Sequence, residues 1–224
     1  MPHECMSPAT HGGIGCSQCN RLWEEIKELH QRLRQMEGDE MSISVLELPL
    51  TRARNLANAL AADLLAGCSR VTIAGSIRRR KPEVGDLELV AIPTPTADLF
   101  GDVTGHPLDN HLEPILQRLV DRGDLVRLKD GPKMKQFTLP AHGCNLDLFL
   151  TSAENFGLIL LIRTSSADFS RRFVTQRFKG GLLPDDLRVE HGRLWRGDEA
   201  LLTPEEADCF RLAGLKYLEP WERE

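Results

Sequence analysis

The sequence predicts an α+β fold, and three patterns carry that prediction. Short runs near 71–74, 86–90, 135–139 and 145–150 set apolar residues at the alternating or compact spacing of β-strands. Two longer stretches, Thr51 to Leu65 and His111 to Asp121, place apolar residues three and four apart, the period of amphipathic helices. Turn-forming stretches separate these runs, the longest being the Pro-, Gly-, Asp- and Thr-rich segment from Pro93 to Asn110. With 224 residues the chain can hold one good core, or two small lobes and an appendage.

Composition narrows the setting. The longest uninterrupted apolar run, Gly157 to Ile162, is too short to cross a bilayer, and the first residues, MPHECMSPATHGG, lack the apolar region of a signal peptide. An intracellular, cytoplasmic protein with no membrane partner is expected. Cys5, Cys16, Cys19, Cys68, Cys144 and Cys209 are too few and too scattered for a disulfide framework, so they are expected to be reduced or metal-bound. The net charge of -5 is unevenly spread: residues 51–197 carry 21 Lys or Arg against 17 Asp or Glu, while both ends are acidic. A modest basic surface can therefore coexist with an acidic whole.

The first forty residues are expected to form an appendage. Cys5, His11, Cys16 and Cys19 have the donor types of a structural Zn2+ site, with Cys16-x-x-Cys19 at knuckle spacing, while His3 and His30 compete as donors. A helix follows, with Leu22, Ile26, Leu29, Leu33 and Met36 on one stripe, Asn20 as its cap and Gly38 as its stop. At about two and a half heptads the stripe is marginal for an independent coiled coil. It is expected to pack on the main domain or to associate, through residues 20–37, with a second copy or a partner protein. The helix from Thr51 turns Ala53, Leu56, Ala57, Leu60, Leu64 and Leu65 inward and feeds through Gly67 to Arg70 into the strand at Val71 to Ala74.

The stretch GSIRRRKPEVGDLELV, Gly75 to Val90, organises the rest. Gly75 and Ser76 can turn backbone N–H groups and a hydroxyl toward an anion, and Arg78, Arg79, Arg80 and Lys81 follow at once. Asp86 and Glu88 alternate with Leu87, Leu89 and Val90, so both carboxylates point to one face of a strand. Such a pair repels itself unless a proton or a divalent cation, Mg2+ or Mn2+, lies between the two. After the helix at 111–121 come strands at Leu125 to Leu128, Lys135 to Leu139 and Asn145 to Leu150. On the last of these Asp147 lies opposite the apolar face.

Gly-Ser, a pair of arginines and Gly-Asp-x-Glu, with the later Asn-Leu-Asp-Leu-Phe, resembles the nucleotidyltransferase core of family X DNA polymerases, the relatives of polymerase beta and terminal transferase. The resemblance implies a palm of mixed sheet and flanking helices over 41–153 and a small thumb-like α/β lobe over 154–224, after the helical appendage of 1–40. It implies addition of nucleotides from nucleoside triphosphates to a 3′-hydroxyl of a DNA primer/template with release of pyrophosphate, in a setting such as DNA repair. It assigns Asp86, Glu88 and Asp147 to the metals, Gly75, Ser76 and Arg79 to the nucleotide's phosphates, and Gly85 to a close backbone approach. Arg78 is expected to be structural, paired with an acidic side chain. Lys133, Lys135, Arg171 and Arg172 are the candidates for nucleic-acid contact.

The match runs from about Ser42 to Glu224, with departures. Glu88 stands where the family usually has Asp. Ile162, Arg163 and Ser165 stand where the family has an aromatic pair and a Gly that read the incoming sugar, and Ala167 presents only a methyl. The family's lyase and fingers domains have no counterpart in the sequence, so gap recognition and lyase activity are not expected. A helix is expected over Ser166 to Phe178, a hairpin around His191-Gly192, and a capping box at Thr203-Pro204-Glu205-Glu206, with Phe210, Leu212, Leu215 and Trp221 as core. Two other readings stay open at this point: a nucleotidyltransferase acting on RNA, protein or a small molecule, and a non-catalytic nucleic-acid-binding module built on the appendage.

Overall fold

The computed structural model describes residues 47–96 and 110–224. The cysteine and histidine cluster, the helix expected over 20–37 and most of the loop expected over 93–110 lie outside the described residues. Residues 45–224 form one unit.

The order of elements follows the hydrophobic period. β1 (Leu48–Pro49) leads into α1 (Leu50–Leu65), β2 (Cys68–Ile73), the single turn α2 (Gly75–Arg78), β3 (Glu83–Val84) and β4 (Asp86–Pro93). Then come α3 (Leu112–Asp121), β5 (Val126–Asp130), β6 (Met134–Leu139) and β7 (Cys144–Leu150). Five of these strands form a mixed sheet in the order β2-β4-β7-β6-β5, and β1 pairs with β3 as a short antiparallel ribbon. Only β4 and β7 run parallel, which the long return through α3, β5 and β6 makes possible.

Alternation along the strands separates two faces of the sheet. Leu87, Leu89 and Ala91 of β4, Leu146 and Leu148 of β7, and Phe137 and Leu139 of β6 point to one side. There they meet Ala53, Ala57, Leu60 and Leu64 of α1 and Leu112, Ile115, Leu116 and Leu119 of α3. Leu65, expected on this face, is 51% exposed, because Leu64 already fills the last inward position of α1. Lys135 is also on the buried face. Its side chain is fully buried, with Nζ 2.6 Å from Glu113 Oε1 and paired with Asp130. It is therefore an internal ion-pair partner and no surface contact for nucleic acid, correcting the expectation from sequence.

The remaining elements build a second core. α4 (Phe156–Thr164), α5 (Ala167–Val174) and α6 (Glu206–Leu212) pack with a three-stranded antiparallel sheet of β8 (Leu187–Glu190), β9 (Arg193–Arg196) and β10 (Glu199–Leu201). Leu158, Leu161, Phe169, Phe173, Leu187, Leu194 and Phe210 fill it, with the rings of Phe173 and Phe210 edge to face at 5.5 Å. The β8–β9 turn is made by His191 and Gly192 at φ 53° and 79°, the paired positive values that suit a tight hairpin.

Three local expectations shift. α5 stops at Val174 rather than Phe178: Thr175 is extended, and the chain turns so that Arg177 can donate to the Ala213 carbonyl at 2.7 Å. The capping box lies two residues later, between Glu205 and Asp208, because the Thr203 backbone is already engaged by Glu154 and Gly157. Gly157 approaches so closely that an added Cβ would stand 2.1 Å from the Glu205 carbonyl carbon. Trp221 is 41% exposed rather than core, with the Arg80 guanidinium 3.5 Å above its ring.

A buried charge triad ties the sheet to the second core. Arg78 reaches Glu206 with both terminal nitrogens, at 2.7 and 2.5 Å, and Arg223, fully buried, reaches the same carboxylate at 2.6 Å. Arg78 is thus held as a structural partner of an acid, as expected. These two cations outweigh the cost of burial and hold the Glu206 carboxyl below its ordinary range. Among the described residues no helix is long and apolar enough to cross a membrane. Replacing Glu206 by Ala strands two guanidinium groups, and urea unfolding is expected to show a loss of about 3–5 kcal/mol. A loss under about 1 kcal/mol would mean that the triad is not what joins the two cores.

Candidate active site

Strand register assembles the carboxylates. In the parallel β4–β7 pair Asp86 lies opposite Asn145 and Glu88 opposite Asp147, so the three acids occupy one face at one end of the sheet. Farther along the same face Val90 and Phe149 are covered by Phe156 and Leu160 of α4. One sheet face is therefore apolar where α4 lies and polar where it does not. Gln136, opposite Asp147 on β6, donates to Asp147 Oδ1 at 2.9 Å, and Thr138 donates to Asn145 Oδ1 at 3.1 Å. The polar end thus has its own hydrogen-bonded floor. Gln136 was not singled out in the sequence; its place opposite Asp147 in the strand alternation was the available signal.

Burial and mutual charge set the protonation of these acids. Glu88 is pushed up from 4.5 to about 7, chiefly by burial, then by the charge of Asp147, with Arg79 and Arg163 acting in the opposite sense. Asp147 is raised by burial against the Gln136 hydrogen bond, and Asp86 by burial against its hydrogen bond with Asn145. Gly75, at φ +62°, lies directly beneath Glu88: a Cβ there would fall 1.8 Å from Glu88 Oε2. The glycine therefore makes room for the carboxylate as well as for the turn.

The basic run is less free than its composition suggests. Arg79, expected on phosphates, donates through Nη1 to the Thr164 and Ser165 carbonyls at 2.5 and 3.2 Å, while its buried Nε has no partner among the described residues. Lys81 pairs with Glu224 at 2.9 Å. Ser76 is half-buried at the second position of α2, and Gly85 has open space where a side chain would be. Lys133 Nζ donates to the His191 carbonyl at 3.4 Å. Arg171 and Arg172 are exposed on α5, Arg171 in an ion pair with Asp168.

Among the described residues no three His, Cys, Asp or Glu side chains are gathered closely enough to hold a metal ion. Asp86, Glu88 and Asp147 share a face and supply hard oxygen donors whose charged forms are destabilised by burial. Their donor chemistry fits a hard divalent cation, although the three side chains are not drawn together to ligand spacing.

No protein-family model matches the chain. DNA polymerase lambda of Rattus norvegicus is 30% identical over 168 residues, 67% of this chain and 28% of the relative. Two structures of Leishmania infantum polymerase beta, a ternary P/T complex and a ternary gap complex, superpose with TM-scores of 0.62 and 0.63 at 16% identity. Each covers 80% of this chain, which in turn spans 77% and 71% of theirs. The fold is that of family X polymerases. The chain spans only 28% of the length of the curated relative it matches.

Within this family X fold the departures noted from sequence have structural substitutes. Arg163, standing where an aromatic was expected, lays its guanidinium 4.0 Å from the Phe149 ring centroid. Ser165 replaces glycine at φ −69°, ψ 164°, extended backbone open to any residue, and its hydroxyl donates to the Leu161 carbonyl at 2.8 Å. In metal-free protein Glu88 binds its proton more tightly folded than unfolded, so its contribution to stability falls as pH rises from 4.5 to about 7. The thermal-stability difference between wild type and Glu88→Gln, measured in chelator, should fall through that window. A flat difference would show that Glu88 titrates normally.

Proposed function

We propose that the chain is a metal-dependent DNA nucleotidyltransferase that adds a nucleotide to a 3′-hydroxyl and releases pyrophosphate. The observation that carries this is Glu88 paired directly with Asp147 across parallel strands, with Asp86 beside them, on the open end of a family X polymerase fold. The substrates are a DNA primer/template and a nucleoside triphosphate. The proposed division of labour is a palm over 41–153 carrying the acids and a thumb-like lobe over 154–224 closing on the substrate.

Asp86, Glu88 and Asp147 would hold Mg2+ or Mn2+, which when bound neutralises phosphate charge and acidifies the attacking hydroxyl. The 3′-oxygen bonds to the α-phosphorus, and the bond from that phosphorus to the bridging oxygen breaks to release pyrophosphate. Gln136 donates to Asp147 Oδ1 and so restrains that carboxylate, leaving Oδ2 as the proposed ligand atom. Ser76 and Arg79 are the proposed phosphate partners, and Arg79 would have to release its bonds to the Thr164 and Ser165 carbonyls to reach a phosphate. Gly85 leaves a ligand room to lie against the backbone.

Extension of a labelled primer, with and without template, in Mg2+ or Mn2+ and with each deoxy- or ribonucleoside triphosphate, tests the proposal. Wild type is expected to extend the primer, and Asp147→Ala to lose activity on the order of 100-fold or more. No extension under any condition, or full activity in Asp147→Ala, would overturn it.

A further inference from the structure

The two edges of the mixed sheet are unlike. β5, with the sequence VRLKD, carries three charged side chains and a bulge between Arg127 and Lys129, features that discourage a further strand. β2, with the sequence CSRVTI, has one charged residue, Arg70, and that side chain is drawn away to Glu205 at 2.7 Å and to the face of Phe156. Its bulge, between Cys68 and Arg70, comes before the rest of the edge. Ala74 donates to the Glu88 carbonyl at 2.8 Å, so in this antiparallel register the positions bonded to β4 are Ala74, Thr72 and Arg70. Val71 and Ile73 therefore turn both N–H and C=O away from β4, and among the described residues no other strand pairs with them.

That bare edge lines a groove of about 570 Å3. Helix α1 contributes Arg54 and Asn58, one turn apart, and the C-terminal segment contributes Tyr217 and Trp221, 38% and 41% exposed. A helix beside an open strand edge is a setting in which an extended peptide can join a sheet, main-chain bonds supplying affinity and side-chain contacts selectivity. Charge says which peptide. The exposed Arg54 side chain makes no hydrogen bond or ion pair among the described residues. Arg80 lies over the Trp221 ring with no acidic partner among them, which leaves the N–H groups at the rim of its guanidinium free to donate. Arg78 is already neutralised by Glu206, and Glu219, the one acid among the described lining residues, accepts from the Glu222 backbone. Two guanidinium groups without acids beside a strand edge suit incoming carboxylates.

We infer that the groove beside β2 docks an extended acidic peptide of a partner protein, which adds to the sheet along Val71 and Ile73 and sets carboxylates against Arg54 and Arg80. Its apolar side chains lie on Tyr217 and Trp221. None of the residues proposed to hold metal or nucleotide lines this groove, so the inference stands apart from the nucleotidyltransferase proposal.

A randomised peptide library panned on the immobilised full chain supplies the probe: the most enriched sequence, synthesised with a fluorescent label and titrated by anisotropy. Enriched sequences are expected to set Asp or Glu among β-branched or aromatic residues. Arg54→Glu should weaken binding about 10-fold or more by placing like charges together. Val71→Pro, which removes an outward N–H and spares the β4 ladder, should weaken it at least as much. Arg118→Gln, an exposed change on α3, is the control and should leave binding unchanged. Thermal melting shows which variants are folded, and hydrogen exchange of wild type, followed by NMR, needs no variant: the amides of Val71 and Ile73 should slow when the peptide is added. Failure to enrich any acidic sequence, unchanged affinity in either folded variant, or amides that do not slow would each overturn the inference. So would a concentration-dependent dimer that Val71→Pro abolishes, since the edge would then serve a second copy. Peptide binding kept in Asp147→Ala supports this site whatever that variant does to primer extension, and so separates the two proposals.

Discussion

The register between β4 and β7 is the constraint on which everything else rests. Side chains alternate along a strand, so a slip of β7 by one residue would turn Asp147 into the core, bring Leu146 to the surface and separate Asp147 from Glu88. The apolar partners of α1 and α3 forbid that slip. Hydrophobic burial thus fixes the placement of charges that burial itself disfavours, and burial is the leading cause that raises the proton affinity of all three acids.

A second theme is how few of the clustered cations are left for ligands. The run Arg78 to Lys81 reads as a phosphate grip, yet each member has an intramolecular partner: Glu206, the Thr164 and Ser165 carbonyls, the Trp221 ring and Glu224. All four partners come from the C-terminal half. The run is therefore a seam between two cores, and its capacity for phosphate depends on what that seam can release. Cations with spare donors, such as Lys133, Arg163 and Arg54, stand elsewhere and are far apart in sequence.

Much of the fold was legible because period and turn chemistry are local. The helices at 50–65 and 112–121, the strands around the acidic motif and the His191-Gly192 turn follow from spacing alone. What escaped was set by tertiary partners. Lys135 reads as surface charge until Glu113 and Asp130 are found beneath it, and Trp221 reads as core until Arg80 covers it from outside. At the site, the three acids could be picked out by alternation and motif, whereas Gln136 could be placed only once β6 was paired with β7 in a known register. Arg163 stood out in the sequence as a departure from pattern, but its stacking on Phe149 required the fold.

Glu88 lying over Gly75 with a proton affinity near neutrality also bears on the order of assembly. A carboxylate cluster that stayed fully ionised would push its strands apart and make cation uptake a condition of folding. A proton on Glu88, whose affinity is raised by burial and by the charge of Asp147, lowers that mutual repulsion in the folded chain. Uptake of a cation by such a cluster would displace that hydrogen ion and so depend on acidity.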